Sequence, residues 1–258
     1  MTFLHEPPAD AGGSSAPGPE QVPVIGLAHG SRHPRGSDAV EALMIAVGAA
    51  AGVPAHAAYL DLAEPDLGTV AGLLAEEGYA RVVVVPLLFT EAFHARVDVP
   101  EAVAQAAAAS GVELVTADIL GTGDDVGDVL RTAHDAAEVD ADLDAVLFAV
   151  GSSRAEANEA VADLAVRLSD CRHGRVRAAF GTCEPKVDQV LPDLREPVVL
   201  WPLFLADGLL LDQVRGRAEE RGWPVVEPLG AFATPLVLRR YADALAGARG
   251  VSRRDPAT

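Results

Sequence analysis

The chain has 258 residues, half of them hydrophobic, and carries 20 Lys and Arg against 38 Asp and Glu, for a net charge of −18. That is apolar residue enough for one large core or two small ones. The acidic balance argues against a nucleic-acid partner and against an anionic membrane surface, and leaves an anionic small substrate dependent on a local basic pocket. Residues 1–21 are rich in Pro, Gly, Ser and Ala, lack the charged and apolar regions of a secretory signal, and are expected to form a disordered tail. The first periodic element is the apolar run Val24 to Ala28, a buried strand. It breaks into His29-Gly30-Ser31-Arg32-His33-Pro34-Arg35-Gly36, a polar, basic, turn-forming stretch. A helix capped by Ser37 is expected to about Ala51, closed by Gly52. A strand follows from Ala55 to Leu60, ending at Asp61, then a helix starting at Glu64-Pro65 and stopped by Gly78. Arg81 to Phe89 is a continuous β-branched and apolar run, as expected of a central parallel strand covered on both faces. Asp98 and Glu101 have capping-box spacing for a helix reaching Ser110. Val112 to Leu120 reads as a fourth strand, and Asp124 to Glu138 as a further helix. The fold class is therefore α/β with parallel sheets.

The pattern then restarts. Ala149-Val150-Gly151-Ser152-Ser153-Arg154 echoes Ala28 to Arg32, Glu184-Pro185 echoes Glu64-Pro65, and Val198 to Phe204 echoes Val82 to Leu88. Three ordered matches at offsets of about 120 residues indicate a duplicated unit. The expected organisation is an N-terminal lobe over 22–141, a C-terminal lobe over 142–246 and a tail over 247–258.

Three strands of the first half end in His29, Asp61 and His94, at the edge of the sheet where open α/β folds bind ligands. Imidazole and carboxylate suit borderline divalent metals. In the second half the matching positions are Gly151, Gly181 or Thr182, and about Leu210, so the ligand set is missing while the surrounding scaffold persists. One working site and one degenerate copy is the reading that follows. His5, His33, His56, His134 and His173 have no such pattern. Two cysteines, Cys171 and Cys183, fit no zinc or redox spacing and suggest a reducing compartment. No apolar run has the length of a bilayer span, so a soluble cytoplasmic protein is expected.

His-Gly-Ser-Arg at 29–32, Leu-Asp-Leu-Ala-Glu-Pro at 60–65 and the long run from Pro86 through Phe93-His94-Ala95-Arg96 to Pro100 together resemble the sirohydrochlorin chelatases of the CbiX/SirB type, class II tetrapyrrole chelatases that need no ATP. The likeness spans roughly 22 to 245. It implies paired α/β lobes with a tetrapyrrole cleft between them, and insertion of Fe²⁺ or Co²⁺ into sirohydrochlorin for sirohaem or cobalamin synthesis. It implies that His29 and His94 hold the ion and relay protons. Asp61 stands where many relatives carry a Glu, with Glu64 as its possible substitute. The substrate-binding set it suggests is Ser31, Arg32, Arg35, Thr90, Phe93 and Arg96, the arginines facing the substrate's carboxylates. No permanently bound cofactor is implied, the metal being a substrate, and a monomer is expected. The alternatives are a nickel chelatase or a non-catalytic tetrapyrrole or metal carrier with the same pocket. A histidine phosphatase fits poorly, because Ala28 stands where that chemistry places an arginine.

Overall fold

Residues 21–33, 35–90 and 97–252 are described by a computed structural model of the chain. Two parallel sheets carry the fold. The first has four strands, β1 (Val24–Ala28), β2 (Ala55–Tyr59), β3 (Arg81–Pro86) and β4 (Glu113–Thr116), in the order β2-β1-β3-β4. The second has three, β5 (Ala145–Ala149), β6 (Val176–Phe180) and β7 (Val199–Pro202), in the order β6-β5-β7. The registers repeat: Val24 is level with Ala55 and Val83, and Ala145 with Val176 and Val199. The helices are α1 (Gly36–Ala51), α2 (Leu67–Glu76), α3 (Val99–Ser110), α4 (Asp124–Ala136), α5 (Ala155–Asp170), the short α6 (Val187–Val190), α7 (Leu209–Arg221) and α8 (Thr234–Ser252). Among the described residues no helix is long and apolar enough to cross a membrane.

Side-chain alternation decides which core each residue joins. On β3, Val83 and Val85 face one cluster while Val82 and Val84 face another with Ile25 and Leu27. The first cluster continues without a break into the second sheet, taking in Leu147, Val161 and Trp201. One core is therefore shared by both sheets, and each sheet's far face has a smaller core of its own. Each fully buried aliphatic side chain contributes roughly 1.5–3 kcal/mol of transfer free energy to that arrangement.

Several boundaries differ from the sequence reading. The second helix begins at Leu67, where the Asp66 carboxylate accepts from the Thr69 N–H at 2.7 Å; Glu64-Pro65 belongs to the loop before it. Arg35, not Ser37, stands at the N-cap of α1. Asp98 makes no side-chain cap to α3, so the capping box does not form. The strand β3 stops at Pro86; the Leu87 N–H still donates to the Leu27 carbonyl at 2.8 Å, and Leu88 to Thr90 lie outside the strand. The helix α8 continues past Gly247 to Ser252 and packs against α1, β3 and β4 of the first sheet. The expected tail over 1–21 lies, except for Gln21, outside the described residues, as does 253–258.

Candidate functional site

The carboxyl edges of the two sheets face each other across a cleft of about 670 Å³. One wall starts at the end of β1. His29 is half-buried there, and its carbonyl accepts from the Asp61 N–H at 3.0 Å, continuing the β1–β2 ladder by one residue. The turn at Gly30 follows from crowding: φ is +97°, and a Cβ would stand 1.8 Å from the Asp61 carbonyl oxygen. Ser31 Oγ accepts from the His33 N–H at 3.0 Å, winding the loop back on itself. His29, Ser31, the exposed Arg32, and Leu87 through Thr90 at the end of β3 all line the cleft.

The other expected residues fall elsewhere. Asp61 is exposed, its Oδ1 accepts from the Leu62 N–H at 2.7 Å, and neither it nor the exposed Glu64 lines the cleft. Leu62 does, held at φ +62° by that turn. Arg35 is also outside the cleft lining; its Nε lies 3.4 Å from Asp207 Oδ2. Phe93, His94 and Arg96 lie outside the described residues. Among the described residues no group of three His, Cys, Asp or Glu side chains is placed to hold a metal ion.

The opposite wall corrects the alignment of the halves. The Thr182 N–H donates to the Val150 carbonyl at 2.9 Å, as Asp61 does to His29, and Gly151 repeats the positive φ of Gly30 at +89°. The counterpart of His29 is thus Val150, not Gly151. Nor is this wall merely a site stripped of ligands. Val150, Leu203, Phe204, Leu205, Leu209 and Leu210 make it an apolar surface, with Phe204 stacked on the buried Phe148 at 5.8 Å. Val150 is 45% and Leu209 59% exposed, and they sit together on this one wall. Asn158 braces this wall: its Oδ1 accepts from the Ser152 N–H at 2.9 Å and its Nδ2 donates to the Ser152 carbonyl at 2.8 Å. The sequence carried a signal for the wall, since apolar residues replace polar ones at the repeated positions, but the same replacement also reads as simple loss. His33, set aside in the sequence, turns out to be shielded, with Nε2 3.2 Å from Asp212 Oδ2.

A more open depression of about 940 Å³ lies beside α8, at the ends of β3 and β4. Arg240 and Asp125 on its rim are engaged with each other at 2.8 Å, which makes it a seam of the fold.

The cleft combines an imidazole and the hydroxyls of Ser31 and Thr90 on one side with a largely apolar face on the other, the mix of apolar surface and a few polar groups usual in small-molecule sites. A family model described as CbiX matches residues 23–137 and 144–225. No curated protein matches the chain. The structure is similar to SirB from Bacillus subtilis with Fe³⁺, at 22% identity and TM-score 0.74, covering 89% of this chain and 98% of that one. It is similar to the sirohydrochlorin chelatase SirB from Bacillus subtilis subspecies spizizenii in complex with cobalt, at 21% identity and TM-score 0.73, covering 89% and 97%. It is also similar to CbiX, described as the terminal enzyme for biosynthesis of siroheme in denitrifying bacteria, at 20% identity and TM-score 0.62, covering 88% and 99%.

Proposed function

The chain belongs to the CbiX family, and on that premise we propose that its cleft inserts Fe²⁺ or Co²⁺ into sirohydrochlorin without ATP. The observation that carries the reading is the asymmetry of the cleft, with His29 on one wall and the exposed Val150 and Leu209 on the other. The apolar wall takes one face of the macrocycle, and the His29 side meets its nitrogens. Metallation replaces two pyrrole N–H protons by one M²⁺, so the site must hold the ion and accept two protons. Neutral imidazole does either near pH 7. In this reading His29 and His94 hold the incoming ion and take up the protons, with Asp61, whose N–H donates to the His29 carbonyl, as the acidic partner although its carboxylate lies outside the cleft lining. Ser31, Arg32, Thr90, Phe93 and Arg96 meet the substrate. Arg35 contributes charge near the mouth, although Asp207 already engages it.

The metal is a substrate and leaves with the product. We also propose that lobes over 22–141 and 142–246 supply the opposing walls, that the protein works as a monomer, and that it acts in the cytoplasm. The test is the change in the absorption spectrum of sirohydrochlorin with Fe²⁺, Co²⁺ or Ni²⁺ supplied in turn. Multiple turnovers by the wild type, lost in His29→Ala and in His94→Ala, are the expected result. Full activity in both variants would sink the assignment, and stoichiometric binding without turnover would indicate a carrier.

A further inference from the structure

We propose that His33 and Arg35 are positioning residues that latch the loop carrying His29 to the opposite wall of the cleft, through Asp212 and Asp207. The consequence for substrate rests on the tetrapyrrole reading above; the latch itself does not.

The described residues between His29 and Gly36 are tied to His33. The His33 N–H donates to Ser31 Oγ at 3.0 Å, the Gly36 N–H donates to the His33 carbonyl at 2.9 Å, and the Arg35 N–H donates to His33 Nδ1 at 3.2 Å. Because Nδ1 accepts, the neutral ring carries its proton on Nε2. That is the nitrogen facing Asp212 on α7, at 3.2 Å. The imidazole is 10% exposed and Asp212 40%, so the contact is shielded on the His33 side.

The second tie ends on a post fixed from its own side. Asp207 is 15% exposed, and its Oδ1 lies 2.5 Å from Arg215, which also engages Glu227 at 2.5 Å. Its Oδ2 faces Arg35 Nε at 3.4 Å. The backbones are close as well: a Cβ on Gly36 would stand 2.7 Å from Ser31 Cβ and 3.6 Å from the Asp207 carbonyl oxygen. The two ties are unequal. Arg35 is 65% exposed, where an ion pair is weak and screened by salt, so the His33–Asp212 contact carries the latch.

Both ends of the latch adjoin segments that line the cleft. His29 to Arg32 line one wall and Asp207 to Leu210 the other. The latch therefore fixes the separation of the walls beside His29, and with it how firmly a planar ligand is gripped and how far it lies from the imidazole. Cutting it weakens the grip without removing a group that touches the reacting atoms.

The experiment uses the full chain with His33→Ala, Asp212→Ala and the double variant, and Asp212→Asn, which keeps an oxygen opposite Nε2 without the charge. Amide exchange in the absence of ligand is measured over residues 29–33 and 207–212, and insertion kinetics with sirohydrochlorin. Each single variant is expected to speed exchange in both segments roughly tenfold and to raise KM several-fold, leaving kcat within about twofold. The double variant should be no worse than the singles, and Asp212→Asn should stay close to wild type. Additive effects, exchange that rises only in the mutated segment, or Asp212→Asn behaving like Asp212→Ala would overturn the proposal. If His33→Ala does not fold, the Asp212 pair decides alone, since Asp212 is 40% exposed. A wild type that inserts no metal would defeat the chelatase reading, while exchange would still decide the latch.

Discussion

At Gly30 the backbone has room for hydrogen and nothing larger. The positive φ and the Asp61 carbonyl oxygen 1.8 Å from where a Cβ would stand both oppose substitution. Gly30→Ala should therefore cost about 2–4 kcal/mol and displace His29 from the cleft. A thermal melt and the insertion assay check this together; a variant as stable and as active as wild type would show that the turn is not what holds His29. His134 makes a different prediction. It is buried on α4 with its ring 4.9 Å from that of Trp201, and among the described residues its Nε2 has no hydrogen-bond partner. Burial first, and then the charge of Arg172, hold its pKa below the ordinary 6.5. The unfolded chain takes up this proton more readily than the folded one. The His134 contribution is thus complete above pH 6.5 and is lost as pH falls from there toward the folded-state value. Urea midpoints for wild type and His134→Leu should diverge as pH falls below 6.5, with the wild type falling faster. His29 was legible in the sequence because a histidine ending a buried apolar run has one place to go. His33 and His134 were not, because their partners lie on elements far along the chain, and nothing local marks a loop or helix histidine as shielded.

Among the elements, β1 and β3 were readable because both faces of each are buried and their sequences are correspondingly apolar. The start of α2 was not, because Glu64-Pro65 and Asp66 are both acceptable helix openings locally and only the Asp66–Thr69 hydrogen bond decides between them. The placement of α8 was also hidden. Its sequence follows the second repeat, yet it packs against α1, β3 and β4 of the first sheet, and the family match ends at residue 225, before it begins. Arg240 fastens it there, donating from Nε to the Ile119 carbonyl at 2.8 Å, to the Leu120 carbonyl, and from Nη1 to Asp125 Oδ2 at 2.8 Å. The side chain is 13% exposed, and although burial raises the Asp125 pKa, the hydrogen bond and charge of Arg240 outweigh it and hold the carboxyl below its ordinary value. Arg240→Ala leaves two carbonyls without this donor and Asp125 with only the Val126 N–H and the more exposed Arg239, at a cost of about 2–4 kcal/mol. Arg240→Lys keeps the charge but not the fork, and should fall between the two. Equilibrium unfolding ranks the three proteins; equal stabilities would mean that α8 is held by its apolar face alone.

Across the whole molecule, one backbone plan used twice presents opposed walls with different chemistry. Equivalent ladder positions carry His29 on one side and Val150 on the other, and equivalent glycines turn both loops. The repeat was visible in the sequence, because ordered motifs at a common offset need no structure to be seen. What the second copy does was not, because a valine at a strand end is core in most folds, and only the facing of the two edges leaves this one uncovered. The exposure of the wall gives it a test that stability does not confuse. Val150 and Leu209 are 45% and 59% exposed, so Val150→Asp and Leu209→Asp should change the unfolding free energy by less than about 1 kcal/mol. A bound macrocycle would instead have to desolvate the new carboxylate on its apolar face, and would meet it with carboxylates of its own. A loss of roughly 1.5–3 kcal/mol of binding, or about 10- to 100-fold in sirohydrochlorin affinity, is expected from each. Ile45→Asp supplies the comparison, since Ile45 is 72% exposed on α1 and does not line the cleft; it should leave affinity unchanged. If all three variants bind alike in a fluorescence titration, the wall does not hold the ligand. If all three weaken binding alike, the effect is one of adding negative charge to a chain already at −18, and the wall has no special part in it. Only loss confined to the two cleft residues fits a macrocycle pressed against the second lobe while His29 works on its opposite face.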